Sequence, residues 1–432
     1  MKIKKNILLF LLFLFIVDLL SAQCIKKYPV ADGTFIQNDL IAHWDDARWR
    51  KELNTLKSVG MHYIVIAPTL WVDKEGRATT IYSSSLPNVK NRYANDLVEN
   101  CLRNAQKVGF KVFIGLNMDE KWWSANFTFD WFMTQMKTGN ALAADLIAKY
   151  KSRYKNTMYG WYWVWEVDNI HCTTPLLQNE LSTALNVNID YLHSVTPDMP
   201  FMLCPFFNYR LGTSNQNKDM WTTVFKNTHF SNGDVFAPQD CIGAGGLVMP
   251  VLNEWFRDLK AAVDTKPGLL FWSDVETFDQ RFWSTASLFR FVSQMKIVQP
   301  YVSNYITFAY SHYYGPDKVD PQYHRAYRYY TKQGTFPRYS INASVVDLQY
   351  RRDMDGYLSL SWKVQGKKKN IAGFYIYQND SLVGNWQYSR RSKDCQFKSK
   401  EILSFGKYIY SVQPYNVMGD TTKRIYINLN IY

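Results

Sequence analysis

The sequence is short of the residues that build metal and nucleotide chemistry. Its seven histidines show no HxH or HExxH spacing, and its six cysteines (Cys24, Cys101, Cys172, Cys204, Cys241 and Cys395) form no CxxC pair. Neither a recognisable zinc site nor a dense disulfide framework is supported, and no metal or other cofactor is expected. No GxGxxG or P-loop follows the first strand-like run, so the nucleotide chemistry of doubly wound sheets has no residues behind it. The apolar run Ile7 to Val17 is short for a membrane span, and no transmembrane segment is expected in the mature chain.

What the chain has in quantity is apolar and aromatic side chains, at 47% and 16% of residues, enough to offset chain entropy by burial. The formal charge of +13 is unevenly spread: residues 335–432 carry fifteen Lys and Arg against seven Asp and Glu, leaving +8 there. Basicity thus belongs mainly to the C-terminal part, and the runs Lys367 to Lys369 and Arg390-Arg391 read as a solvated loop face in preference to a polyanion site. Nucleic acid is not an expected partner. Residues 1–22 combine a basic start (Lys2, Lys4, Lys5), the apolar run and the small pair Ser21-Ala22, the pattern of a secretory signal peptide. The mature protein is expected to be exported, periplasmic or extracellular, and monomeric. Cys24 leaves an outer-membrane lipoprotein as the alternative.

From residue 33 to about 330, strand-like runs alternate with amphipathic helical segments. Phe35 to Gln37, Tyr63 to Ala67, Lys111 to Leu116, the run beginning at Gly160, Phe201 to Pro205, Asp234 to Pro238, Leu269 to Trp272 and Tyr305 to Tyr310 read as strands. A helical pattern follows each strand in most units, as in Trp44 to Val59 with its apolar positions Trp49, Leu53, Leu56 and Val59 before Gly60. Eight such units in about three hundred residues predict an α/β fold, a (β/α)8 TIM barrel over residues 23–334. From residue 335 to 432 short alternating strands predict a small all-β immunoglobulin/fibronectin-like sandwich, with Trp362 on a strand and Tyr408 placed like a tyrosine corner. If the sandwich is a separate domain, a chain ending near Lys332 is expected to stay folded and soluble, whereas aggregation would argue for a large shared interface.

The stretch Gly160-Trp161-Tyr162-Trp163-Val164-Trp165-Glu166-Val167-Asp168 reads as a buried strand whose charge appears only where the apolar run stops. The seventh strand likewise runs out into Ser273-Asp274-Val275-Glu276. In a barrel, the C-terminal ends of strands carry the site. Glycoside hydrolysis needs two carboxyl groups, one to protonate the leaving oxygen and one to attack the anomeric carbon or activate water, and Glu166 with Glu276 meets that need. The bland alternative makes Glu166, Asp168, Asp274 and Glu276 caps or salt-bridge partners in exposed loops. Strand alternation places Trp272, Asp274 and Glu276 on one face.

Residues Gly33-Thr34-Phe35-Ile36-Gln37, Gly160-Trp161-Tyr162, Glu166-Val167-Asp168, Pro238-Gln239-Asp240 and Val275-Glu276-Thr277-Phe278 resemble those of a poorly characterised family of secreted Bacteroidota barrels, a domain of unknown function placed with glycosidases. The strand positions also resemble the four-seven glycoside hydrolase superfamily. That resemblance implies Glu166, after strand four, as acid/base and Glu276, after strand seven, as nucleophile of a retaining glycoside hydrolase. Trp165 stands where that superfamily commonly has Asn, so the usual contact to a sugar 2-hydroxyl is not expected from this position.

A carbohydrate partner would stack on aromatic faces and hydrogen-bond to polar groups at the strand ends. The candidates are Trp122, Trp123, Trp272 and Tyr310 for stacking, and Asn117, Asp168, Gln239, Asp240, Asp274 and His312 for hydroxyls. Trp161 and Trp163 read as ordinary core. A non-catalytic carbohydrate-binding or scaffolding protein on the same barrel is the competing reading.

Overall fold

A computed structural model describes residues 28–124, 126–388 and 395–431. The leader-like segment, Cys24 and the pair Arg390-Arg391 lie outside the described residues. Eight parallel strands close into a barrel: β1 (Gly33–Gln37), β2 (Tyr63–Ala67), β3 (Lys111–Gly115), β4 (Met158–Trp163), β5 (Phe201–Leu203), β6 (Val235–Phe236), β7 (Leu270–Glu276) and β8 (Asn304–Phe308). Each strand pairs with its chain neighbours, and β8 returns to β1, with Gly33 opposite Ile306 and Thr34 opposite Thr307. Between and after the strands run α1 (Asp46–Lys57), α2 (Leu97–Val108), α3 (Phe129–Leu146), α4 (Pro175–Val195), α5 (Ser214–Asn227), α6 (Met249–Val263), α7 (Leu288–Val298) and α8 (Pro321–Gln333). This is the TIM barrel that the strand–helix rhythm predicts.

Local chemistry fixes the helix ends. Asp96 accepts from the Glu99 backbone N–H to start α2, and Gly109 closes it in the left-handed region, where a side chain would be strained. Thr213 and Gln216 form a reciprocal capping box on α5. α7 begins at Leu288, after Phe278–Asp279 and Ser284–Thr285 have paired as a short antiparallel hairpin.

β4 shows how alternation is used. Tyr162 points into the barrel, where it joins Phe35, Val65, Phe113 and Trp272. Gly160 makes room in that interior: a Cβ there would lie 2.3 Å from the Phe113 ring. Trp161 and Trp163 point outward into the helix layer, where their ring N–H groups donate to Thr196 Oγ1 at 2.9 Å and to Asn188 Oδ1 at 3.0 Å. Both are fully buried. Trp161→Ala is expected to cost about 3–5 kcal/mol of stability through the cavity it leaves, read as a lower urea midpoint with an unchanged slope.

The C-terminal sheets are β9 (Asn342–Arg352), β10 (Tyr357–Lys367) and β13 (Cys395–Ile402) in one layer, and β11 (Gly373–Gln378), β12 (Ser381–Gln387), β14 (Gly406–Tyr415) and β15 (Ile425–Ile431) in the other. Leu358, Leu360, Trp362, Phe374, Ile376 and Val412 form a core of their own between the layers. The Tyr408 hydroxyl donates to the Ser404 carbonyl at 3.2 Å.

Candidate active site

Two glutamates stand at the C-terminal rim of the barrel. Glu276 is the last residue of β7 and is 1% exposed, whereas Glu166 lies three residues beyond the end of β4 and is half-buried. They are linked by two consecutive residues that follow β6. The Gln239 amide donates to Glu166 Oε1 at 3.2 Å, and Asp240 Oδ1 accepts from the Glu276 backbone N–H at 3.3 Å. A bridge between Gln239 and Asp274 continues the β6–β7 pairing to the rim, which holds this link in register.

Glu276 is further held by the turn after Asp240. The Ala244 backbone N–H donates to Glu276 Oε2 at 2.7 Å, and the turn lies so close that a Cβ on Gly243 would meet the Phe278 carbonyl at 2.3 Å. Arg290 from α7 donates to the carbonyls of Phe278 and Glu276 and fixes the strand end from outside. Gln294, also on α7, donates to Asp240 Oδ2 at 2.5 Å and to the Glu276 carbonyl at 3.1 Å.

Burial dominates the electrostatics. It pushes the Glu166 carboxyl up to about 7, against a smaller opposing pull from the Gln239 amide. Glu276 is also raised, first by burial and then by the neighbouring Asp240 charge, with the N–H groups of Ala244 and Gly243 and the Arg290 cation opposing. Asp240 is raised to about 6 by burial, against an opposing pull from the Gln294 amide. Asp274 lies one inward position below Glu276, is 2% exposed and is held well above the usual carboxylate range by burial and then by Glu276, Asp240 and Glu166. Its Oδ1 has no hydrogen-bond partner among the described residues.

The other candidates divide. Trp123 is 53% exposed beside the rim, whereas Trp122 is half-buried against Phe127, Phe132 and Trp165 and donates its ring N–H to the Glu166 carbonyl at 3.2 Å. Asp168 is spent on its own loop, accepting from the backbone N–H groups of Ile170 and His171 at 2.8 and 2.7 Å, with His171 Nδ1 at 2.6 Å. His312 accepts from the Gln37 backbone N–H at 3.2 Å, and burial, with Lys318 nearby, pushes it down to about 4, so it is neutral near pH 7.

Three candidates are displaced from the rim. Trp272 shares the inward face of β7 but lies two inward positions below Glu276, packed on Tyr63 at 5.4 Å near the start of β2. Tyr310 is fully buried among Tyr314, Tyr327 and His324, bonded to His324 Nδ1 at 2.9 Å. Asn117 is 1% exposed and gives its amide to Gln135. Alternation and strand-end position place these residues on a face but do not set their depth.

Sequence reasoning missed the Gly243-Ala244 turn, Arg290 and Gln294. It also missed Trp283, 61% exposed, which stacks on Phe278 with ring centroids 5.7 Å apart, while Tyr313, a strand-end aromatic, lies 5.4 Å from Phe278 on the same stack. The available signal was an aromatic pair, Phe278 and Trp283, in the loop after β7. Among the described residues no group of three or more His, Cys, Asp or Glu is placed to hold a metal ion.

Eight parallel strands closed on one another with helices outside define a TIM barrel, and two acids stand at the ends of its fourth and seventh strands. The chain belongs to the DUF4434 family, a domain of unknown function, whose family model matches residues 31–320. Its fold is similar to that of a candidate alpha-L-fucosidase from Bacteroides thetaiotaomicron VPI-5482, with 18% identity, a TM-score of 0.58, and 72% of this chain and 97% of that one covered. The endo-beta-1,4-mannanase from Thermotoga petrophila matches at 12% identity and a TM-score of 0.45, over 94% of this chain and 99% of that one. No curated protein matches the chain. At these identities the likeness is one of fold.

Proposed function

We propose that this protein is a retaining glycoside hydrolase acting on an oligosaccharide or polysaccharide outside the cytoplasm, with Glu166 as acid/base and Glu276 as nucleophile. The observation that carries this reading is the joining of the two glutamates at one rim through Gln239 and Asp240. In the first step a Glu276 oxygen bonds to the anomeric carbon, the bond to the leaving oxygen breaks with its electron pair on that oxygen, and Glu166 supplies the proton. In the second, Glu166 takes a proton from water, the water oxygen bonds to the anomeric carbon, and the ester bond to Glu276 breaks. The net reaction is glycoside plus water giving free sugar plus alcohol.

The roles fit the surroundings. Glu166, raised to about 7 by burial, still holds a proton near neutrality. Glu276 is raised to about 8 by burial and then by the Asp240 charge, and the Ala244 N–H pulls the other way, toward the ionised form that the nucleophile requires. Reducing-end release across a panel of polysaccharides and oligosaccharides, with retained anomeric configuration seen by NMR, tests the reading. Binding to glycans with no release on any of them would replace it with the carbohydrate-binding reading. That reading draws on Trp165, buried against Trp122, Trp131 and Phe132 where a sugar contact is commonly placed.

The shifted carboxyls set the pH dependence. The nucleophile must lose its proton and the acid must keep its own, so the raised Glu276 moves the acidic limb of kcat/KM upward to about 8 while the raised Glu166 moves the alkaline limb only to about 7, and the active pH range is narrow. Asp240→Asn removes the charge that opposes ionisation of Glu276. Its acidic limb is expected to move to lower pH by about one unit, with the alkaline limb unchanged, in a kcat/KM profile.

The reading places the barrel in residues 23–334 and a second domain in 335–432. The two share an apolar contact, since Ala372, Tyr415, Val417 and Met418 join the barrel's core cluster and the Leu288 N–H donates to the Val417 carbonyl at 2.9 Å. A chain ending at Lys332 is therefore expected to keep native-like circular dichroism but to bind a hydrophobic dye and self-associate, measured by fluorescence and light scattering.

A further inference from the structure

Beside Glu166 a cavity of about 400 Å³ opens between the loop after β3 and the loop after β4. Glu166 and Val167 line it together with Trp122, Trp123, Phe127, Phe132 and Leu177 of α4. Glu276 does not line it. The volume is within the range of small-molecule sites. Trp123 and Leu177, both large and apolar, are 53% and 38% exposed.

The walls discriminate between two kinds of occupant. A sugar ring carries hydroxyls around its edge, and each one buried without a partner costs about 1–3 kcal/mol. Of the three carboxylates in the lining, Glu166 is the acid itself, Glu180 stands on α4, and Asp168 has both oxygens engaged by Ile170 and His171. His171 Nδ1 is taken by the same carboxylate. Flat apolar surface is abundant by contrast: the Trp122 ring is held on Phe127 at 5.1 Å and nearly parallel to it. Such a wall suits an aromatic ring, which stacks on it and needs few hydrogen bonds.

The position relative to the acid defines which part of the substrate enters. On the reading of Glu166 as acid/base, its proton goes to the glycosidic oxygen, which departs with the leaving group. A cavity that includes Glu166 and not Glu276 therefore lies on the leaving-group side. We propose that this cavity is the leaving-group site for an aromatic aglycone, and that the protein's substrates include glycosides of phenols or similar planar apolar alcohols.

The test uses the full chain and two substitutions at wall positions, Phe129→Ser and Leu177→Asp. Binding of free 4-methylumbelliferone is followed by calorimetry, and kcat/KM is measured for a phenyl glycoside and a methyl glycoside of whichever sugar is turned over. The unmodified protein should bind the phenol, and each variant should bind it about tenfold more weakly, the loss of roughly 1.4 kcal/mol of apolar contact. Each variant should lose about as much on the phenyl glycoside while changing little on the methyl glycoside. Comparing variants on one substrate removes the greater intrinsic reactivity of phenol leaving groups. Phenol binding that the variants weaken, in a protein that hydrolyses nothing, would uphold the aromatic site and sink the hydrolase reading. Hydrolysis of oligosaccharides with no phenol binding, or with phenyl and methyl glycosides equally affected, would overturn the aromatic site and leave the hydrolase reading intact.

Discussion

Glu276→Gln is expected to abolish turnover on natural and activated glycosides alike, with kcat reduced by more than the ~10²–10⁴-fold that loss of acid–base assistance alone produces. The amide keeps the shape of the side chain and can still accept from the Ala244 N–H, but it cannot form the ester that retention requires. No leaving group, however reactive, compensates for a missing nucleophile. The measurement is single-turnover kinetics with an activated aryl glycoside, supported by mass spectrometry. The unmodified protein should show a glycosyl adduct on the peptide containing Glu276, and the variant should show none. An adduct on another residue, or residual activity within tenfold of the unmodified protein, would remove Glu276 from the nucleophile role. The variant should not be less stable. Burial raises the Glu276 carboxyl in the folded protein above its unfolded value, so its contribution to stability is full at low pH and is lost as pH rises through the folded value. A neutral amide removes that loss, and the melting temperature of Glu276→Gln should exceed that of the unmodified protein on the alkaline side.

Glu166→Gln is expected to divide substrates by their leaving groups. Natural glycosides, whose alkoxide must be protonated as it departs, should lose about 10²–10⁴-fold in kcat/KM, whereas activated aryl glycosides should still glycosylate Glu276 at a rate close to that of the unmodified protein. Hydrolysis of the intermediate then becomes slow because no base activates water, and added azide, which needs no deprotonation, should restore turnover and release a glycosyl azide. The same variant should lose the alkaline limb of the pH profile near 7, since that limb reports the Glu166 proton. Equal losses on activated and natural substrates, with no azide rescue, would refute the assignment.

The aromatic cavity bears on how these experiments are designed. Aryl glycosides carry both the reactive leaving group that Glu166→Gln needs and the planar aglycone that the Trp122–Trp123 wall is built to hold. A large KM effect in Leu177→Asp beside a large kcat effect in Glu166→Gln would separate binding from chemistry in one cavity.

Much of the architecture was legible in the chain because it depends on local patterning. Apolar periodicity marked the alternation of strands and helices, and glycines such as Gly109 ended helices where a left-handed residue was needed. Burial on both faces explains the aromatic run of β4. Glu276 could be placed at a strand end because the run Leu270 to Glu276 continues one pattern without interruption. Hydrogen bonds between distant residues left no such trace. Gln239 and Glu166 are 73 positions apart, and Ala244 and Glu276 are 32 apart.

By itself, then, the sequence determined which residues share a strand, which face they take, and that two acids follow the fourth and seventh strands, because these properties follow from a period of two and from where apolar runs stop. Tertiary structure alone decided depth and partnership. Trp272 and Glu276 share a face, yet one is deep in the barrel interior and the other is at the rim, since barrel closure staggers the strands and assigns each inward residue to a layer. It also decided that Asp168 would shape a loop, that Tyr310 would be sealed in a helix interface, and that Gln239 and Asp240 would bind one glutamate each. In each case a polar or aromatic group's role is set by the neighbour that satisfies it, and those neighbours are brought together only when the barrel closes.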